Sequence, residues 1–404
     1  RFTGRIAGSE AERNSQAALA GRLHDLGMDA VVAGCVAPPH LPVILTLHAA
    51  VFLSAALLVL LSPPLSVLLT LVALLSFWGE LRGRPRLLQR LLLKRITGNM
   101  VARQRNQEAR AQIILVAHAD VATSSVLFLP WFKRFTLRRE AHGRGLHPGS
   151  LVVVAAGAQA VAATLLWDAG RLGVVPLVVI GAACIVHAGL LLLAVDWWRS
   201  PPVEGAIDNG SGMSVVLAAA EALSEDPLDH CELWVVSSGA REPDAEGMQG
   251  FVRQFDHLLE PDRTFVINVD DVGQGRLHVV VAEGRWERLA YRPTLPALAE
   301  QLAAEEPFTS IAQVDVVGTT DAGPPTRAGY RAVTLTSLVD GSRPEILHTH
   351  QDTLDAIDPA SLAQALDFTL ALCRSVDGYV RDTVPPRPPR HGVTAPGSPT
   401  VVRL

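Results

Sequence analysis

The chain has 404 residues, of which 49% are apolar and only 19% charged, with a formal net charge of −5 at pH 7. This composition excludes a disordered chain, a collagen and, for want of a basic footprint, a simple nucleic-acid binder. Four scattered cysteines (Cys35, Cys184, Cys231, Cys373) form no CxxC pair, so neither a disulfide framework nor a finger-type thiolate zinc site is expected. What remains, with a mean hydropathy of +0.26, is a globular domain combined with membrane segments.

In chain order, Ser9-Glu10-Ala11-Glu12 reads as a capping box that opens a helix ending at Gly27. The opening residues lack the charged n-region, apolar core and cleavage site of a signal peptide. Leu41–Leu61 is an apolar run broken by Ser62-Pro63-Pro64 and resumed over Leu65–Trp78. A second zone runs Ser150–Trp167, turns at Asp168-Ala169-Gly170-Arg171, and continues over Leu172–Val195, closed by Trp197 and Trp198. A bilayer takes roughly 20 apolar residues per helix. The expectation is therefore two transmembrane helical hairpins, against the alternative of buried core helices. His48 and His187, within these spans, read as interhelical hydrogen-bonders rather than a transport pathway. Arg82, Arg84, Arg86, Arg90, Lys94 and Arg95 follow the first hairpin, and Lys133, Arg134, Arg138, Arg139 and Arg144 precede the second. Positive-inside logic then places the polar segments in the cytoplasm.

Outside the hairpins the pattern is α/β. Ala111–Ala117, Cys231–Val236, Phe265–Val269, Leu277–Val281, Val314–Val317 and Val333–Leu335 are short β-rich apolar runs suited to buried strands. Ser214–Leu223, Gly247–Leu259, Pro293–Leu302 and Ala360–Val376 carry helical spacing. Their alternation predicts a mixed, mainly parallel sheet flanked by helices. Arg381–Leu404, with six prolines, reads as a disordered tail.

Polar residues gather where strands end: His118-Ala119-Asp120, Asp208-Asn209-Gly210-Ser211-Gly212 after Val203–Ile207, Ser237-Ser238-Gly239-Ala240-Arg241-Glu242, and Asp270-Asp271-Val272-Gly273. A late loop holds His348-Thr349-His350-Gln351-Asp352-Thr353. Ligand sites of open α/β sheets lie beyond the carboxyl ends of strands. Imidazole and carboxylate donors without cysteine suit a hydrolytic zinc, manganese or cobalt site.

These blocks resemble the di-zinc aminopeptidase family, which includes bacterial leucyl-type aminopeptidases and, more distantly, glutaminyl cyclases. The resemblance covers Arg5–Leu26, Asn99–Asp120, Glu204–Leu223, Val235–Phe251, Asn268–Gly273 and Thr319–Ile357. The GAxDN-x-SG block at 205–212 is its most specific motif, and the hairpins are similar to those of a membrane-embedded bacterial branch. The resemblance implies one metal on His118, Asp208 and Asp270 and another on Asp208, Glu242 and His348, with Asp208 bridging. That is two Zn2+ per chain, with one ion or none as the alternatives. Asp120 is the residue that would fix the His118 imidazole. Asp208–Asn209 resembles the family's cis non-proline peptide, and Asp321 and Asp352 resemble its supporting acids. His350 is the rival of His348, disfavoured by the spacing to Asp352-Thr353. Asp271 stands where the family usually has an apolar residue.

The implied organisation is a peptidase-like domain over 1–40, 82–148 and 199–380, interrupted by hairpins at 41–81 and 149–198 and followed by the tail 381–404. The implied activity is hydrolysis of N-terminal residues of peptides by a membrane-bound metallopeptidase, whose partners are a peptide substrate and the lipid bilayer, with no nucleic acid. Arg241 departs from the pattern. It occupies the position of the family's general base, a glutamate, and a guanidinium has no acceptor for a proton. A catalytically impaired or silent member that binds peptide or a partner is therefore the alternative reading.

Overall fold

The computed structural model describes residues 2–82, 87–132, 148–169, 173–241, 244–284 and 287–386. Two compact units result: one is Arg1–Ala37, Arg95–Ala122 and Pro202–Leu404, the other Pro38–Lys94 and Thr123–Pro201.

The first unit is built on strands β1 (Asp29–Ala37), β2 (Arg95–Gln104), β3 (Ala111–His118), β4 (Cys231–Ser238), β5 (Thr264–Val269), β6 (Arg276–Glu283), β7 (Leu289–Ala290), β8 (Ala312–Val316) and β9 (Arg331–Leu338). They form one sheet in the order β1-β2-β4-β3-β5-β9-β6-β7, with β8 beside β6. Its centre, β4-β3-β5-β9, is parallel. The flanking pairs β1-β2, β2-β4 and β6-β9 are antiparallel. Every residue of β3, β4 and β5 is buried, as near-continuous apolar runs require when a strand is covered on both faces. Ile113 and Leu115 join one core with Leu223, Phe368, Leu372 and Val376. Ile114 and Val116 join the other with Trp234, Met248, Phe251 and Phe255.

The helices of this unit are α1 (Glu10–Asp25), α6 (Gly212–Glu225), α7 (Glu246–Phe255), α8 (Thr294–Ala303), α9 (Gly323–Arg327) and α10 (Pro359–Thr383). Ser9 caps α1 as expected, its hydroxyl accepting from the Glu12 amide at 3.1 Å. The Glu12 carboxylate instead reaches the Gly8 amide at 2.5 Å and the Thr97 hydroxyl at 2.6 Å. Two expectations need correction. Val203–Ile207 is not a strand; Ala206–Ser211 is a kinked turn, non-helical at Asp208 and Asn209, that runs into α6. Helix α10 continues to Thr383, past the expected start of the tail at Arg381, because Val376, Val380 and Val384 keep packing on the core. Residues 387–404 of that tail lie outside the described residues, as do Arg84, Arg86, Lys133, Arg134, Arg138, Arg139, Arg144 and Arg171.

Both insertions leave and return between neighbouring residues. Ala37 pairs with Arg95 across the β1-β2 ladder, and the Val203 amide donates to the Ala122 carbonyl at 3.1 Å.

The second unit contains α2 (Leu41–Leu58), α3 (Pro63–Arg82), α4 (Pro148–Ala169) and α5 (Val174–Arg199). All four are long and apolar enough to cross a membrane. Helix α2 packs on α3 and α5, and α4 packs on α3 and α5, closing a four-helix bundle. Its outer surface is apolar, and a few polar side chains lie inside a core that is otherwise apolar. Ile185 and Leu192 are 76% and 71% exposed while His48, Gln159 and His187 are fully buried. The His48 ring meets the Ser76 hydroxyl at 3.0 Å, linking α2 to α3. Gln159 on α4 donates to Thr70 Oγ1 on α3 at 2.8 Å, and its carbonyl lies 3.0 Å from His187 Nε2 on α5. The His187 ring stacks on Phe52 of α2 with centroids 5.0 Å apart. Both histidines are thus interhelical hydrogen-bonders.

Gln159 joins the two hairpins, and interhelical hydrogen bonds in bilayers contribute ~0.6–2 kcal/mol. Gln159→Leu removes both links and leaves His187 Nε2 without its partner, while Thr70 keeps its bond to the Ser66 carbonyl. It is expected to destabilise the bundle by about 1–2 kcal/mol, read as an earlier midpoint in a mixed-micelle denaturation series. An unchanged midpoint would refute this.

Candidate metal centre

The parallel centre places four strand ends together, and the strands on either side of β3 follow it in sequence, so β3 ends at a topological switch point. His118 is its last residue. Its Nδ1 lies 3.0 Å from the Asp120 carbonyl, which as acceptor fixes a proton on Nδ1 and turns the Nε2 lone pair outward. That nitrogen faces Asp208 Oδ1 at 3.1 Å and Asp270 Oδ1 at 3.3 Å. All three atoms are buried and, among the described residues, have no hydrogen-bond partner outside this trio, and candidate ligand atoms of the three residues lie within 4.8 Å of one another. A lone pair and two carboxylate oxygens pointed at one spot repel each other unless a cation or proton sits among them. The donor set, one imidazole and two carboxylates, fits Zn2+.

Asn209 holds the carboxylates in register. The Asp208–Asn209 peptide is cis. The Asn209 amide donates to the Val269 carbonyl at 2.8 Å and its oxygen accepts from Gly212 at 3.0 Å and Asp271 at 3.2 Å. The turn bearing Asp208 is thereby tied to the end of β5, where Asp270 follows. Asp352 accepts from the Ile207 and Asp208 amides at 2.6 and 3.2 Å. Burial pushes its carboxyl, and that of Asp321, up to about 6. Asp321 accepts from the Ser238 hydroxyl.

On the other side of Asp208, His348 Nε2 lies 2.8 Å from Oδ2, whereas His350 is exposed. Asp208 thus offers one oxygen to each histidine. Burial opposes its charge, but the two imidazoles outweigh burial and hold it well below the usual carboxylate range. For His118, too, burial opposes the charge, and Asp208 and Asp270 override it to raise the imidazole well above its ordinary value. Glu242, the remaining implied ligand, lies outside the described residues.

Arg241 is buried at 6% exposure. Its amide donates to both Asp120 oxygens at 3.1 and 3.0 Å, and its Nη2 lies 3.1 Å from Asp270 Oδ2. Asp120 therefore supports His118 through its backbone carbonyl, while its carboxylate braces the Arg241 backbone. Sequence reasoning missed Arg343. Its Nη1 lies 3.2 Å from Asp271 Oδ2 and its Nη2 3.8 Å from Asp270 Oδ2. A single arginine in a polar loop carries no spacing signal; only the fold brings it beside β5. Asp271 is fully buried; burial, then Asp208 and Asp270, raise its carboxyl well above the ordinary value.

Residues 191–373 match the sequence model of peptidase family M28. No curated protein matches the chain. Among solved structures, the glutaminyl cyclase of Porphyromonas gingivalis superposes with a TM-score of 0.53 at 16% identity, covering 94% of each chain. A zinc aminopeptidase from Bacillus subtilis gives 0.52 at 16% identity, covering 92% of this chain and 91% of its own. A leucine aminopeptidase precursor from Bacteroides thetaiotaomicron gives 0.52 at 12% identity, covering 92% of each. The fold is theirs, and the resemblance to the di-zinc aminopeptidase family holds.

Behind the centre, burial and then Asp120 push the Glu12 carboxyl up to about 7. Between the ordinary glutamate value and about 7 the folded chain keeps this proton and the unfolded chain has lost it, so stability falls as pH rises through that window. Glu12→Gln is expected to remove this slope. Chemical denaturation midpoints from roughly pH 4.5 to pH 8 check it, and parallel profiles for parent and variant would contradict it.

Proposed function

We propose, on the M28 match of residues 191–373, that the chain is a membrane-bound zinc metallopeptidase of aminopeptidase type, acting on the N-terminal residue of a peptide. The observation that carries this reading is the buried convergence of His118 Nε2, Asp208 Oδ1 and Asp270 Oδ1. Bound there, zinc supplies Lewis acidity toward a peptide carbonyl and toward water. His118, Asp208 and Asp270 would hold the ion, with His348 on the second side of Asp208. Asp120 fixes the His118 tautomer through its carbonyl, and Asn209 and Asp352 keep Asp208 in place.

Arg241 gives the reading its edge. Lacking an acceptor, it takes no proton from water, and a missing general base costs ~10²–10⁴-fold in rate. The Arg241–Asp270 ion pair favours the second reading, a silent member that binds peptide or a partner. A chromogenic aminoacyl substrate panel with added Zn2+ separates the two. The first reading expects weak hydrolysis that His118→Ala abolishes and Arg241→Glu raises at least tenfold. Ordinary family rates in the parent that Arg241→Glu slows would contradict the lost-base account.

The apolar outer surface of the bundle, with its few polar side chains buried inside, supports the membrane assignment. We place all four helices across the bilayer as two hairpins, with the α/β unit cytoplasmic. Single-cysteine labelling from outside is expected to reach Ser62 and Asp168 positions and not the His118 loop; labelling of that loop would invert the topology.

A further inference from the structure

The segment that follows α3 is docked on the bundle by one residue and leaves its neighbours outside. It makes a short turn, Leu88–Leu91, and then extends at Leu92. The Leu88 amide donates to Ser76 Oγ at 2.8 Å, and the Leu88 side chain packs against the cluster of Phe52, Ala73 and Phe77. Leu91 and Leu93 are 75% and 92% exposed, and Arg90 and Lys94 beside them are exposed too. Among the described residues neither cation makes an ion pair, and the sequence has no acidic residue between Glu80 and Glu108.

The hydrogen bond to Ser76 fixes the depth of this turn. Ser76 lies near the end of α3, two residues before the exposed Trp78, or ~3 Å along the helix. Leu190 of α5 packs against the Phe77 cluster, so the end of α5, with Trp198 exposed, lies at the same end of the bundle. Tryptophans at the ends of spans mark the level where hydrocarbon gives way to headgroups. Leucines held at that level enter the acyl boundary while neighbouring cations reach the headgroups, as in helices that lie in the interface. In water alone these leucines would form an uncovered apolar patch rimmed by charge.

We propose that this turn is a binding site for an anionic phospholipid, with Leu91 and Leu93 in its acyl region and Arg90 and Lys94 on its headgroup. Every phospholipid carries a phosphate, but a zwitterionic headgroup brings a cation of its own. A stretch of cations with no acid among them selects a headgroup that brings none. The inference rests on the membrane placement of the bundle and names the lipid that this placement recruits.

The full chain, purified in a nonionic detergent, is titrated with short-chain phosphatidylglycerol and with short-chain phosphatidylcholine. Native mass spectrometry reads bound lipid and oligomeric state together. The parent is expected to hold phosphatidylglycerol roughly tenfold more tightly than phosphatidylcholine. Arg90→Gln combined with Lys94→Gln is expected to abolish that preference, and Arg90→Lys combined with Lys94→Arg, which keeps both charges, to preserve it. Leu91→Ser combined with Leu93→Ser is expected to weaken both lipids alike, because only the apolar contact is lost. Equal affinity of the parent for the two lipids overturns the proposal. A preference that the glutamine pair leaves intact overturns its assignment to this turn. A lipid-independent dimer that the serine pair dissociates also overturns it, since a second copy of the chain then covers the leucines. The membrane reading fails separately, if the chain stays soluble without detergent and does not sediment with vesicles.

Discussion

The parallel pairing of β3 between β4 and β5 is the constraint from which the rest of the α/β unit follows. It buries β3 on both faces, forces covering helices onto each side of the sheet, and opens a crevice at the end of β3, where neighbouring connections depart in opposite directions. His118, Arg241 and Asp270 come from the three strand ends that line this crevice. Asp208 comes from elsewhere and would be misplaced without Asn209, whose amide couples its turn to the last carbonyl of β5. A single side-chain amide thus carries the alignment of two candidate ligands 62 residues apart.

Much of this was legible in the sequence, for identifiable reasons. Runs such as Ile113–Ala117 and Phe265–Val269 announce doubly buried strands because every position must be apolar, and polar residues that follow such runs must lie at the sheet's edge of water. The preference for His348 over His350 follows from spacing, and in the fold it is His348 that meets Asp208 while His350 points to solvent. Strands β1 and β2 were less visible. β1 is an edge strand with a half-exposed, Ala- and Gly-containing sequence, and its partner β2 resumes only after the first hairpin, so no local turn marks the pair. The segment before Asp208 reads as a strand because Val203 and Ile207 are apolar, but its backbone leads into a kinked turn and makes no ladder.

Electrostatics were the least legible part. That Arg241 could not act as a base was evident from its chemistry alone. That it lies against Asp270, and that Arg343 joins it from a loop 73 residues beyond Asp270, depends on tertiary placement. The same holds for Glu12, whose place in a capping box hid its burial against Thr97 and its proximity to Asp120.

The manner in which the chain leaves the α/β unit has a consequence for how such a protein could arise and be reduced. Each excursion begins and ends at adjoining backbone positions, Ala37 opposite Arg95 and Ala122 bonded to Val203. To the sheet, then, each helical hairpin is a long version of a surface loop. The closure of each excursion is set by these adjoining positions rather than by its length. The bundle is modular in the chain's connectivity: both of its excursions start and finish at neighbouring positions of the α/β unit.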